Sequence, residues 1–286
     1  MRTDIRFQAN GLALAGWLYR PAMPGPRPLI VLSHGFSALM EMGLDRYAAS
    51  FTAGGFACLV YNHRNFGGSE GTPRHDIDPW QQVADMREAI SFARTLPDVD
   101  PARIGLWGTS YAGGHALVVA AIDRRVRCVV SQVPLVEGYR TLRTWVPTQA
   151  WDKLQARFAE DRDAHYRGAP LRTTQPAREG TETWAWAQAT DPDGLYPNEI
   201  TQRSLEMLGT YEPGQFIPRI APTPLLMILA EQDEQTPFAG QLAAYHQAGE
   251  PRRLVTLDCK HYDPYTSRFE DACGAARDWF TVHLSP

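Results

Sequence analysis

Residues 104–121 place the tightest constraint on the fold. Ile104-Gly105-Leu106-Trp107 is a short apolar run. Gly108-Thr109-Ser110-Tyr111-Ala112-Gly113-Gly114 follows, and a stretch rich in alanine and valine continues to Ala121. The first run has the length of a buried strand and the last the character of a buried helix. The chain must therefore turn sharply at Ser110. Such a turn needs small neighbours, because it is strained and packs tightly. It also pushes the serine hydroxyl away from the backbone and aims the first helical N–H groups at the reacting carbon. A serine hydroxyl attacks poorly until a base takes its proton and donors hold the oxyanion. An acid, a histidine and a second oxyanion donor are therefore expected elsewhere.

The surrounding pattern alternates. Asn10-Gly11 lies between two strand-like stretches in 3–20, as in an antiparallel hairpin. Pro21 to Pro28 holds four prolines in eight residues and reads as a linker. Leu29-Ile30-Val31-Leu32 is continuously apolar, as in a strand buried on both faces. Helices are predicted over 43–53, 79–95, 111–121, 238–247 and 266–283. Strands are predicted over 57–61, 104–107, 127–131, 225–229 and 254–257. Such alternation implies an α/β protein with a mostly parallel central sheet flanked by helices.

The alternation stops near Pro134 and resumes near Pro222. Helical stripes are predicted at 147–165, 180–190 and 198–209, with no strong strand between them. This block, 135–221, reads as a helical cap inserted into a core formed by 1–134 and 222–286. It holds Trp145, Trp151, Trp184 and Trp186, together with Arg140, Arg143, Arg157, Arg162, Arg167, Arg172 and Arg178. The tryptophans are expected either to line an apolar acyl pocket or to form the cap's own core. The arginines are expected mainly at the solvated surface.

Three further segments complete a constellation. Asp233 follows the 225–229 strand, where a carboxylate can reach the crevice at the strand ends. Glu231 is the second choice for that role. His261 follows the last strand, where it could take the Ser110 proton while Asp233 holds its other nitrogen. Tyr262 flanks it and is a candidate substrate contact. After the 29–32 strand, Ser33-His34-Gly35-Phe36 lets the chain turn and frees the Phe36 N–H. With the Tyr111 N–H it would form an oxyanion hole. The loop Asn62-His63-Arg64-Asn65-Phe66-Gly67-Gly68-Ser69-Glu70-Gly71 is glycine-rich, yet lacks the Gly-Lys-Ser/Thr ending of a phosphate loop. It reads as structural, with Arg64 tied to a carboxylate or carbonyl.

Composition excludes several classes. The 286 residues are 44% hydrophobic and 21% charged, which suits a soluble domain with a large core. A net charge of −4 lacks the basic surplus of a nucleic-acid binder. Cys58, Cys128, Cys259 and Cys273 have no CxxC spacing and suit a reducing compartment. No secretory signal and no membrane-length apolar run is visible. A cytoplasmic enzyme is expected, with no metal and no cofactor, acting on a small-molecule acyl substrate.

Together these residues resemble the serine hydrolases of the α/β-hydrolase superfamily, of the dienelactone-hydrolase and X-Pro dipeptidyl-peptidase (S15)-like type. The resemblance covers about 1–134 and 222–286. It rests on the order His-Gly-Phe, Asn-His-Arg with Gly-Gly-Ser-Glu-Gly, Gly-Thr-Ser-Tyr-Ala-Gly-Gly, then Asp233 and His261. It implies Ser110 as nucleophile, His261 as general base and Asp233 as orienting acid, with the cap between the sixth and seventh strands. The implied activity is cleavage of an ester, thioester or lactone through an acyl-enzyme. Acyl transfer or polyketide release by the same triad, an X-Pro-type peptidase, and a non-catalytic binding protein are the alternatives. The exposed cap is also a candidate homodimer contact. The family elbow is Gly-x-Ser-x-Gly, so Ala112 is a departure that implies a slightly shifted turn. Serine speaks against dehalogenases, which use aspartate, and against dienelactone hydrolases proper, which use cysteine.

Overall fold

Leu29–Leu32 runs through the middle of an eight-stranded sheet in the computed structural model, which describes every residue except Pro24, Pro192, Ser285 and Pro286. The strands are β1 (Arg2–Ala9), β2 (Leu12–Tyr19), β3 (Arg27–Ser33) and β4 (Ala57–Tyr61). They continue as β5 (Val99–Thr109), β6 (Val126–Gln132), β7 (Leu225–Ala230) and β8 (Arg252–Leu257). Their spatial order is β1-β2-β4-β3-β5-β6-β7-β8. β1 pairs antiparallel with β2, and β2 with β4; the other pairs are parallel. The fold is that of the α/β hydrolases.

Local chemistry explains the edges of these elements. Asn10 and Gly11 take φ of 50° and 84°, so the β1–β2 turn needs residues that tolerate the left-handed region. The proline-rich linker ends where β3 begins at Arg27; Pro24 within it lies outside the described residues. β5 starts earlier than the apolar run predicts. Val99 already pairs with Arg27, and the register breaks before Leu29 meets Ile104. That polar first half carries no strand signal of its own.

Period-two alternation divides the core. Leu29 and Val31 point into one apolar cluster with Met86, Ile90 and Leu117. Ile30 and Leu32 point into the other with Tyr47, Phe51 and Phe280. Helices α2 (Pro79–Ala93) and α3 (Tyr111–Ile122) contribute to the first cluster. Helices α1 (Leu44–Ala53) and α9 (Phe269–Leu284) contribute to the second. Asp78 caps α2 by accepting from the Trp80 and Gln81 amides, with Pro79 at the first helical position.

The glycine-rich loop after β4 is anchored from α2. The Arg64 Nε and Nη2 donate to the two Asp85 carboxylate oxygens at 2.6 and 2.5 Å, and Nη1 donates to Gln81 Oε1 at 2.8 Å. This is the tie expected of Arg64, in the bidentate form.

Between β6 and β7 lie α4 (Gly138–Trp145), α5 (Trp151–Tyr166), α6 (Glu182–Thr190) and α7 (Gln202–Gly209). A two-residue ribbon pairs Thr173–Thr174 with Ile200–Thr201. The three expected helical stripes become α5, α6 and α7. α4 has no counterpart among the predicted helices. The next helix in the sheet's own series is α8 (Phe238–Tyr245).

Candidate active site

Ser110 sits between the end of β5 and the start of α3 with φ 54° and ψ −120°. An L-residue rarely adopts that backbone, and holding it there costs about 1–3 kcal/mol. Main-chain bonds brace it: the Ser110 N–H donates to Gln132 O, and the Leu135 N–H donates to Ser110 O, both at 2.9 Å. The small flanks are required. A β-carbon at Gly108 would lie 2.1 Å from the Ala112 carbonyl oxygen, and one at Gly113 would lie 3.0 Å from Pro134. Ala112, where the usual motif has glycine, is fully buried, and nearby Ser110 keeps the left-handed φ of 54°.

His261 and Asp233 converge on this serine from the loops after β8 and β7. The distance from Ser110 Oγ to His261 Nε2 is 3.1 Å, and from His261 Nδ1 to Asp233 Oδ2 it is 2.7 Å. Asp233 Oδ1 accepts from the Gln235 and Thr236 amides at 2.8 Å each. Gln241 Nε2 donates to Oδ2 at 3.1 Å. The Asp233 side chain has no exposed surface, and burial by itself raises its pKa. The charge and hydrogen bond of His261, with the Thr236 donors, outweigh burial and hold the carboxyl below its usual value. Asp233 is therefore a carboxylate at neutral pH. Glu231 instead points to solvent. Thr236 and Gln241, which fix Asp233, carried no signal in the sequence.

Gly35 lies against the nucleophile: a β-carbon there would be 3.0 Å from Ser110 Cβ. The Phe36 and Tyr111 N–H groups have no acceptor among the described residues. Their rings meet edge to face at 5.1 Å.

A cavity of about 620 Å³ opens over Ser110 and His261. Of the aromatic residues proposed for the pocket, Trp145, Trp186 and Tyr262 line it. Trp145 Nε1 donates to Gln235 O at 2.8 Å, and Trp186 stacks on Tyr262 at 5.1 Å. Trp151 and Trp184 do not line it. Trp151 packs against Tyr139 at 5.6 Å with the Arg143 guanidinium over its ring at 4.4 Å. Trp184 lies two positions before Trp186 on α6, about 200° around the helix, so the two rings face apart. Arg140, Arg162 and Arg172, between β6 and β7, pair with glutamates near the surface, whereas Arg178 lines the cavity.

The match to known proteins follows this geometry. The sequence pattern of the family "X-Pro dipeptidyl-peptidase (S15 family)" matches residues 10–263. This chain belongs to the S15 family. It is 33% identical to the quorum-quenching protein AidA of Acinetobacter baumannii (strain MDR-ZJ06), over 91% of this chain and 86% of that protein. It is 31% identical to a thiohydrolase of Eupenicillium brefeldianum, over 88% of this chain and 84% of that protein. The crystal structure of the alpha/beta hydrolase GrgF from Penicillium sp. sh18 superposes with a TM-score of 0.87 at 26% identity, covering 99% of both chains. Among the described residues of this S15 member, no helix is long and apolar enough to cross a membrane.

Proposed function

We propose that this chain is a serine hydrolase that cleaves carboxylic esters and thioesters through an acyl-enzyme, with Ser110, His261 and Asp233 as its triad. The observation that carries the reading is the continuous line from Ser110 Oγ to His261 Nε2 at 3.1 Å and from His261 Nδ1 to Asp233 at 2.7 Å. In the first step the Ser110 proton passes to His261 Nε2 while Oγ bonds to the acyl carbon. The Phe36 and Tyr111 N–H groups receive the oxyanion. His261 then protonates the leaving alkoxide or thiolate as its bond to carbon breaks. Water attacks the acyl-enzyme, gives a proton to His261, and Ser110 recovers a proton as the acid departs. Asp233 keeps His261 in the tautomer that exposes a basic Nε2 and stabilises the imidazolium.

Residues 135–221 are read as the cap that closes this site, because Trp145 and Trp186 from that segment line the cavity. The thiohydrolase relative favours including thioesters. An X-Pro peptidase would need an acidic pair for the substrate amine. The carboxylates lining the cavity are Asp233, already bound to His261, and Glu234. The four cysteines are free and buried, which favours the cytoplasm.

Ser110→Ala tests the assignment. With a panel of nitrophenyl esters and acyl thioesters, kcat should fall by about 10⁴-fold or more while circular dichroism stays unchanged. Fluorophosphonate labelling should vanish with it. A folded variant with undiminished turnover would overturn the triad. Product analysis with an added alcohol distinguishes hydrolysis from acyl transfer to that alcohol.

A further inference from the structure

Behind the proposed oxyanion loop lies a buried group of imidazoles that the triad does not use. His34 and His63 are almost wholly buried, with ring centroids 4.4 Å apart. The hydrogen bonds around them leave one consistent tautomer for each. The His63 backbone N–H lies 3.3 Å from His34 Nε2 and can only donate. That nitrogen must accept, so the His34 proton is on Nδ1. His34 Nδ1 lies 3.1 Å from Gly35 O, which can only accept. His63 Nε2 in turn lies 3.3 Å from His34 O and 2.9 Å from Ser33 Oγ, while His63 Nδ1 has no partner. The His63 proton is therefore on Nε2. His63 thus grips residue 34 twice, at its side chain and at its carbonyl.

The consequence reaches the reacting centre through one peptide unit. Gly35 C=O and Phe36 N–H belong to the same peptide, and in a trans peptide the two point in opposite directions. Gly35 O is held by His34 Nδ1 and by the Ala38 N–H at 3.3 Å. The Phe36 N–H is thereby turned the other way, and it has no acceptor among the described residues.

We propose that His34 is a positioning residue, clamped by His63, whose Nδ1–H holds the Gly35 carbonyl and thereby aims the Phe36 N–H at the oxyanion formed on Ser110. This rests on the oxyanion role proposed above for Phe36. Burial lowers the pKa of His34 to about 4 and that of His63 well below its usual value, so both rings stay neutral where the clamp operates. The motif Asn62-His63-Arg64, which the triad left without a role, acquires one: Arg64 ties the loop to Asp85 while His63 grips residue 34.

Three substitutions and one spectrum test this. His34→Leu keeps the bulk and removes the donor; kcat should fall about 10- to 100-fold, approaching the loss of one oxyanion donor, with KM within about twofold. His34→Asn places an amide N–H near the Nδ1 position and should retain kcat within about threefold. His34→Gln places it near Nε2 and should lose about tenfold or more. Should the leucine variant fail to fold, the Asn and Gln pair decides. In ¹⁵N-histidine spectra of the wild-type protein at pH 7, His34 should show the Nδ1–H tautomer. An Nε2–H tautomer, equal losses in Asn and Gln, or full activity in Leu would overturn the clamp. Folded wild-type protein without esterase or thioesterase activity, yet with His34 in the Nδ1–H form, would overturn the hydrolase reading and support the clamp geometry.

Discussion

Gly35 and Ser110 approach so closely that a β-carbon on residue 35 would stand 3.0 Å from Ser110 Cβ and 3.4 Å from its Oγ. The loop proposed to hold the oxyanion and the strand-to-helix turn at Ser110 therefore share one packed contact. Gly35→Ala should push the loop outward by a few tenths of an ångström and misplace the Phe36 N–H. Because misplacement of about 1 Å can cost about 10²-fold, a kcat loss of about tenfold is expected, with little change in Tm. Steady-state kinetics with one nitrophenyl ester, alongside a thermal melt, checks it.

Trp145 and Trp151 both lie between β6 and β7, yet of the two only Trp145 meets the cavity. Trp145→Ala should shift the relative kcat/KM of long over short acyl chains by about tenfold, since a large side chain is removed from the pocket wall. Trp151→Ala should leave the profile unchanged and only weaken the packing around Tyr139. Parallel profiles for the two variants would contradict this division.

Asp85 is fully buried and Arg64 nearly so, which sets their pair apart from the exposed Arg140–Glu137 pair. Asp85→Ala strands the guanidinium and should reduce unfolding free energy by about 3–5 kcal/mol. Glu137→Ala should change it by under about 1 kcal/mol. Urea titrations of both variants give the comparison.

His34 and His115 are buried neutral, and desolvation lowers their pKa values from 6.5 to about 4 and about 3. Between those values and 6.5 the unfolded chain binds a proton that the folded chain refuses. Stability is then full above pH 6.5 and falls as pH drops, by about 1.4 kcal/mol per pH unit for each histidine. The fall ends near pH 4 for His34 and near pH 3 for His115. Carboxylates held low, such as Asp233, lose their contribution only below 3.8. Urea midpoints should therefore decline already between pH 6.5 and 5; a flat profile there would contradict the burial of these rings as neutral groups.

Much of the sheet was legible because β4, β7 and the Leu29–Leu32 centre of β3 are continuous apolar runs, as strands buried on both faces are. The polar start of β5 and the eight-residue α4 were not legible. One owes its strand conformation to pairing with Arg27, and the other packs against α7, far along the chain. At the site, the order of Ser110, Asp233 and His261 along the chain was readable from their positions after strands.

The sequence by itself determined the elements and the candidate trio, since local periodicity and the residue types that can carry a proton are properties of the chain. Only the tertiary structure decided what each neighbour does. It separated Trp145 and Trp186 from Trp151 and Trp184, set Thr236 and Gln241 on Asp233, and brought His63 onto His34. Those outcomes depend on which faces meet, across 29 residues of chain for His63 and His34, and direction in space is a long-range property that local pattern does not contain.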